Sequence, residues 1–185
     1  MEKKKGSKDL LRESVIELVG KAPVKKVTVR QICENCGISQ RTFYHYFTDK
    51  HDLISWVLVD TLSDSWHDKE ATIHKQLVTI VDNICAHDSF YINAMRYTGQ
   101  NNFRESIFPP FRAHMCHLIT EIHHDILTKE ISDAINFFLY GCIGFMEHCL
   151  LTGDIVPTEI TVPMFERNIP PILKKYIEPF RADLP

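Results

Sequence analysis

The sequence lacks an uninterrupted apolar run of the roughly 18 residues that a membrane-spanning helix requires. Its longest apolar segment, residues 137–146, is shorter and is typical of a buried helix. The basic N-terminus, MEKKKGSKD, is not followed by the apolar stretch of a secretory signal peptide. We therefore expect a cytoplasmic protein that has no membrane partner and whose six cysteines are free thiols.

The sequence also lacks the motifs that carry catalysis. It has no glycine-rich phosphate loop, no nucleophile elbow and no HExxH zinc motif. Cysteines and histidines are present, but no spacing places a nucleophile beside a base. These absences predict that the protein is not an enzyme and holds no cofactor.

The charge that is present is unevenly distributed. Residues 1–50 contain 11 Lys and Arg against 6 Asp and Glu, a net charge of +5, whereas residues 51–185 contain 10 basic and 18 acidic residues, a net charge of −8. A basic head on an acidic body is typical of a DNA-binding unit joined to a part that stays off DNA. We predict a DNA-binding domain over residues 1–50 and an effector-binding and dimerisation domain over residues 51–185.

Apolar residues recur at helical spacing along the chain, and no alternating pattern predicts a strand. The predicted fold is all-α, with a three-helix head that contains a helix-turn-helix and a helical body behind it. The prolines at 109 and 110 are expected to kink or break one body helix. The body helices are predicted over residues 72–87, 89–98, 102–126, 129–152 and 158–180.

Residues 28–53 carry the local signals of a helix-turn-helix. Thr28 and Gln31 form a capping box at the start of one helix, and Gly37 stands where a left-handed backbone would end it. Ser39 is the expected N-cap of the next helix. Two capped helices joined by a short turn make a helix-turn-helix, whose second helix enters the DNA major groove.

These residues also resemble the DNA-binding signature of TetR-type transcriptional regulators, over roughly residues 10–55. Tyr46 departs from that signature, where the family often has His, but the aromatic shape is kept. A second likeness, over residues 97–104 (YTGQNNFR), is to the dihydroxyacetone-kinase regulator subgroup of the family. The signature is carried by Thr28, Ile32, Gly37, Ile38, Ser39, Thr42, Phe43, Tyr44, Phe47, Lys50 and Leu53.

The resemblance implies a homodimeric transcriptional regulator that binds double-stranded operator DNA. Repression is the usual outcome in the family, and activation occurs in the dihydroxyacetone-kinase subgroup. A small molecule or a partner protein bound to the body would change the affinity for the operator.

Nine polar residues of the head are expected to contact DNA. Gln40 and Arg41 suit the edges of adenine and guanine, and Thr42 and Tyr44 can donate to phosphates. The alternative is that these residues form an ordinary solvated face. The predicted set is Thr28, Arg30, Ser39, Gln40, Arg41, Thr42, Tyr44, His45 and Lys50.

The helix over residues 129–152 is apolar almost all round, which predicts burial on two faces. Either a central position or a partner subunit would cover the second face. The resemblance favours a partner, because the last two long helices of such proteins form a four-helix dimer interface. The predicted interface residues are Ile135, Leu139, Cys142, Ile143, Met146 and Leu150.

The resemblance further implies a ligand cavity in the body, with His117 as its polar anchor. The same side chains would also serve as ordinary core, because pockets in helical bundles are built from core residue types. The candidate lining residues are Tyr91, Tyr97, Phe103, His117 and Tyr140.

The cysteines and histidines leave one alternative function open, a metal- or thiol-responsive sensor or a small enzyme. Cys33 and Cys36 have the spacing of half a zinc site or of a redox pair, but no second half lies nearby. His114 and His117 are three residues apart and could share a metal, yet no spacing fixes a third ligand. We predict no metal site, and metal analysis of the purified protein would separate the two functions.

Overall fold

The computed structural model describes residues 6–62, 66, 72–154 and 157–177, and within these residues the chain is helical and has no strand. The predicted all-α fold, with a helix-turn-helix head and a helical body, is confirmed. A 3-10 turn, Val24–Lys26, precedes the second helix. The α-helices are α1 Ser7–Lys21, α2 Val29–Cys36, α3 Gln40–Tyr46, α4 Lys50–Asp60, α5 Ile73–Ala86, α6 Asp88–Met95, α7 Phe103–His117, α8 Lys129–Thr152, α9 Thr158–Arg167 and α10 Pro171–Ile177.

The head is built around α1, whose apolar stripe packs on the two helices that follow. Val15 is fully buried, and so are Ile32 of α2 and Phe43 of α3. Ser14 is also buried in this contact, and its hydroxyl donates to the Ile32 carbonyl oxygen at 2.8 Å. This bond gives the buried Ser14 hydroxyl a hydrogen-bond partner, and it fixes α2 against α1.

Head and body share one apolar core. The buried cluster that contains Phe43 continues without a break through α4 to Phe90 and Tyr91 of α6. α6 packs along α1, and the Asn93 side-chain amide donates to the Val19 carbonyl oxygen at 2.8 Å. The predicted boundary at residue 50 therefore does not fall at a gap in the packing.

Two predicted helix boundaries in the body need correction. α7 does not break at Pro109 and Pro110: it continues through both residues and gives way to a π-helical turn, Leu118–Ile122. The segment predicted as one helix over 158–180 contains two, because α9 ends at Arg167 and α10 begins at Pro171. Consecutive prolines at 170 and 171 explain that end, since a residue before proline avoids the helical conformation.

α8 has the predicted bounds, residues 129–152, and is apolar on two faces. Its inward face packs on α6, α7 and α10. Its outward face exposes Phe137 (80%), Tyr140 (59%) and Leu151. By length and composition α8 also passes the test for a membrane span, a test that the core helix of a soluble protein passes too.

The residues predicted to form the dimer interface lie on the inward face of α8, and that prediction is corrected. Ile135, Leu139, Met146 and Leu150 are buried within the chain. The other two, Cys142 and Ile143, are partly buried and line an internal cavity. Because α8 is apolar on both sides, its composition does not show which stripe faces inward. The packing of α6, α7 and α10 decides it.

Candidate nucleic-acid interface and ligand cavity

The helix-turn-helix is set by caps that the sequence predicted. The Thr28 hydroxyl accepts a hydrogen bond from the Gln31 backbone N–H at 3.2 Å, and the Gln31 side-chain oxygen accepts from the Thr28 N–H at 2.9 Å. Gly37 ends α2 with φ of 69°, a left-handed conformation that glycine adopts without strain. The Ser39 hydroxyl then accepts from the Thr42 N–H at 3.0 Å and starts α3. These local bonds fix the angle at which α3 leaves the turn.

α3 presents one face to the core and the opposite face to solvent. The Phe43 and Phe47 rings are buried, with centroids 5.8 Å apart. The other side of the helix exposes four predicted DNA-contacting residues, Gln40, Arg41, Tyr44 and His45. Because the two phenylalanines are buried, the opposite face exposes the Gln40 amide, the Arg41 guanidinium and the Tyr44 phenol together.

Thr28, Arg30 and Ser39 are among the predicted contact residues that already have partners within the head. The Arg30 guanidinium pairs with Glu34 at 2.7 Å, but both side chains are exposed, and such pairs contribute little to stability. A phosphate could therefore replace Glu34. The hydroxyls of Thr28 and Ser39 are engaged in the helix caps, so the N–H groups at the starts of α2 and α3 are better placed to meet a phosphate.

Lys50 has a different role from the phosphate contact that the sequence suggested. Its ammonium donates to the carbonyl oxygens of Val24, at 2.7 Å, and Val27, at 2.6 Å. Burial lowers the pKa of this ammonium, and the neighbouring Asp49 carboxylate opposes that effect. Two of its three N–H donors are therefore committed to tying α4 to the 3-10 turn. Lys25 is exposed on that turn and is a candidate for the phosphate contact that the sequence analysis did not consider.

Lys50→Met is expected to lower the free energy of unfolding by about 2–3 kcal/mol, because two charge-assisted hydrogen bonds are lost. The salt dependence of binding to random DNA should change little. Lys25→Met is the matched control: it should leave stability unchanged and reduce the slope of log K against log salt by about 1. Urea unfolding and salt titration measure the two effects. A flattened slope with unchanged stability in Lys50→Met would assign Lys50 to a phosphate instead.

The body contains a partly open cavity of about 100 Å³ between α4 and the helices α5 to α9. We call this space the body cavity. Its lining is almost entirely apolar and includes Tyr91 and Phe103, as predicted. The polar side chains Gln76 and His114 also reach it.

Three of the predicted lining residues lie elsewhere. Tyr97 stacks on His51 at 4.6 Å where the body meets the head, and Tyr140 stacks on Phe108 at 4.3 Å on the outside of α8. His117 is exposed at the end of α7. His114, one turn earlier, takes the inward position and stacks on Trp66 at 4.6 Å. The sequence offered both histidines, and the packing of α7 decides between them.

The loop between α6 and α7 contacts the start of α4. The Asp49 carboxylate caps α4 by accepting hydrogen bonds from the backbone N–H groups of His51 and Asp52. The same carboxylate accepts a third bond from the Asn101 side-chain amide at 3.3 Å. Residues 97–104, which carried the second family likeness, thus join the body to the first turn of α4.

The thiols and histidines form no group of three or more potential metal ligands within the part of the chain that the structure describes. All six cysteines are free thiols. Cys33 is buried, which raises its pKa, and the Cys36 thiol donates to the Ile32 carbonyl oxygen at 3.2 Å. These two cysteines are therefore small packing residues of α2 in this structure.

Comparison with known families gives two matches. A family described as "Bacterial regulatory proteins, tetR family" matches residues 13–56, and a family described as "Transcriptional regulator C-terminal region" matches residues 71–170. A search of curated proteins finds no match.

Solved structures with similar folds are known. The chain is similar to the dihydroxyacetone kinase operon activator DhaS, with 14% identity and a TM-score of 0.64 over 92% of this chain and 95% of that one. It is similar to a TetR transcriptional regulator from Rhodococcus sp. RHA1, with 19% identity and a TM-score of 0.59 over 86% and 92%. The regulator FadR from Bacillus subtilis in complex with stearoyl-CoA has 13% identity and a TM-score of 0.50 over 92% and 97%. At these identities the likeness shows the fold.

Proposed function

The chain belongs to the TetR family of bacterial regulatory proteins and is a DNA-binding transcriptional regulator, and from that premise we propose how its residues bind DNA, pair with a second copy and respond to an effector. The family resemblance noted in the sequence is thereby confirmed. The observation that carries the proposal is the exposed polar face of α3, opposite the buried Phe43 and Phe47 on a capped helix-turn-helix.

We propose that α3 lies in the major groove. Gln40 and Arg41 then read base edges, because an amide and a guanidinium make bidentate contacts with adenine and guanine. Thr42, Tyr44 and His45 contact the backbone alongside. Arg30 and backbone N–H groups at the starts of α2 and α3, beside the capping residues Thr28 and Ser39, hold phosphates.

We propose that the regulator is a homodimer that pairs through the outward face of α8. Phe137 and Tyr140 expose large apolar side chains on this face, and Ile160 of α9 is 59% exposed; exposed apolar side chains that adjoin one another are typical of an interaction surface. Gly141 and Gly144 lie in the same stripe, and an added Cβ at either would meet no atom within 4 Å. A partner helix could therefore approach closely. Two copies of α8 and α9 would form a four-helix interface and hold the two heads for adjacent half-sites.

We propose the body cavity as the effector site, and α4 as the element that carries its signal. Leu58 of α4 lines the cavity, while the other end of the same helix is tied to the head by Lys50. A ligand that favours one position of α4 would change the separation of the two heads, and so the affinity for DNA. α4 ends at Asp60, and residues 63–65 beyond it lie outside the described part.

The remaining assignments follow the family. We propose repression as the usual outcome, with activation as the alternative that the likeness to an operon activator supports. We propose a cytoplasmic protein without enzymatic activity. The similar FadR structure contains stearoyl-CoA, which makes an acyl chain one candidate for an apolar cavity.

Selection from a pool of random DNA duplexes is expected to enrich one pseudo-palindrome. Its half-sites should lie about 10 base pairs apart, or a multiple of that, because each head of a two-fold dimer meets the same face of the duplex. Sequencing of the bound pool measures both the sequence and the spacing. Enrichment of a single unpaired half-site would contradict the dimer, and no enrichment would contradict sequence-specific binding.

A further inference from the structure

We infer that the body cavity takes an uncharged, largely apolar ligand that presents one hydrogen-bonding group, a hydroxyl or a carbonyl, to Gln76. The inference rests on the proposed function only in treating this cavity as the effector site. Its basis is the composition of the lining and the surroundings of one buried amide.

The described lining suits charged ligand groups poorly. It includes no Lys, Arg, Asp or Glu, and its polar side chains are Gln76 and His114. A carboxylate or phosphate placed there would lose its hydration without a described Lys or Arg to offset that loss, which is strongly unfavourable. A small polyol is equally unsuited, because most of its hydroxyls would find no partner among apolar side chains.

Gln76 is the polar exception along α5. Ile73, Leu77, Ile80 and Ile84 line the cavity from the same helix, and Gln76 lies within this stripe. The Gln76 side chain is buried, with the residue only 8% exposed. Among the described residues, no hydrogen bond is made to its carboxamide, although its backbone N–H is bonded to the Thr72 carbonyl oxygen at 3.1 Å.

The Gln76 carboxamide makes no hydrogen bond to a described residue, yet its atoms are not among the fully buried polar atoms that lack a partner. It therefore keeps some access to the cavity. A ligand hydroxyl or carbonyl can reach it there and form a hydrogen bond away from bulk water, where such a bond is stronger. The amide is neutral and offers both donors and an acceptor, so it suits an uncharged group.

The size of the cavity limits the ligand further. At about 100 Å³ the space is smaller than the roughly 150 Å³ of an engineered cavity that holds benzene. Met95, Met115 and Met146 line it, and methionine side chains adjust easily to fill or open irregular spaces. A flexible alkyl chain can enter by displacing them, whereas a large rigid ligand would need the helices to separate.

The two tryptophans permit a direct test. Trp66 lines the cavity and Trp56 packs in the head against Phe47, at a centroid distance of 5.2 Å. In the full-length Trp56→Phe protein, fluorescence therefore reports only on Trp66. Titration with 1-octanol is expected to give a saturable change, whereas octanoate and glycerol give none at the same concentrations. Binding of octanoate or glycerol in preference to octanol would overturn the inference.

Gln76→Leu tests the hydrogen bond in the same background. This variant should bind 1-octanol about tenfold more weakly, while toluene, which has no hydrogen-bonding group, binds both proteins equally. Gln100→Leu, an exposed position in the loop before α7, is the matched control and should bind octanol normally. Unchanged octanol affinity in Gln76→Leu would overturn the role of Gln76.

Two further measurements separate a ligand role from a structural one. Unliganded Gln76→Leu should melt at the same temperature as its parent or higher, because a leucine suits the apolar lining around it, and a clearly lower melting temperature would overturn the inference. Operator affinity is measured with and without octanol. Gln76-dependent octanol binding that leaves operator affinity unchanged supports the ligand class and contradicts the effector role of the cavity. If the protein binds its operator but does not bind octanol, the inference is contradicted and the proposed DNA-binding function is not.

Discussion

Phe137→Glu is expected to convert the dimer into a monomer and to lower operator affinity by about 10²–10⁴-fold. Phe137 is 80% exposed in the single chain and lies at the centre of the outward stripe of α8. A carboxylate there would have to be buried against the partner's apolar face without a compensating charge. Once the protomers separate, each head binds alone, and the gain from joining two half-sites is lost. Light scattering and titration of operator DNA measure the two effects.

Ala113→Glu is the matched control, because it places the same charge on an exposed position of α7 away from the stripe. It should leave both assembly and operator affinity unchanged. Ile143→Glu would test something else, since Ile143 lines the body cavity, and its main effect should be on folding. A parent protein that is monomeric in solution, or a Phe137→Glu protein that stays dimeric, would contradict the proposed interface.

Arg41→Ala is expected to cost about 1–3 kcal/mol of operator binding per half-site and to relax the sequence preference at one base pair in each half-site. The reason is the loss of a bidentate contact with guanine from the exposed face of α3. Affinity for random DNA should fall far less, because only one charge is removed. Selection from a randomised half-site, with titration of the parent operator, measures both the affinity and the preference.

Lys174→Ala removes one positive charge from an exposed position of α10, far along the chain from the head, and controls for net charge. It should leave the selected operator unchanged. If Arg41→Ala selected the same half-site as the parent, with equal affinity at moderate salt, α3 would not be the reading helix.

The features that the sequence predicted well depend on bonds between near neighbours. The caps at Thr28 and Ser39 each join groups no more than three residues apart, and the left-handed Gly37 requires only its own backbone. Such interactions survive in any tertiary context, so their residue types are visible as a pattern. The predicted bounds of α8 agree with the structure, where Thr128 caps its start and Gly153 its end.

The features that the sequence did not predict depend on which neighbour a helix meets. α8 is apolar on both sides, so composition could not tell the stripe of Ile135 from the stripe of Phe137. His114 and His117 are one turn apart on α7, and only the packing around Trp66 selects the first. Lys50 appeared suited to a phosphate because its two carbonyl partners, Val24 and Val27, are more than 20 residues away. Long-range contacts of this kind produce no local spacing of residues from which they could be predicted.

The continuous core that joins the helix-turn-helix to the body has a consequence for folding. Asn93 of α6 bonds to the Val19 carbonyl oxygen of α1, and α6 packs along α1. The head and the body therefore belong to one buried apolar cluster. A chain built in this way unfolds as one cooperative unit, so α1 loses its packing against α6 if the body is removed. The head is therefore not a portable module that could be transferred to another scaffold at residue 50. DNA that binds at α3 and stabilises the head therefore also stabilises α6. Amide exchange in α6 should become slower when DNA binds, although α6 does not touch the DNA-binding surface.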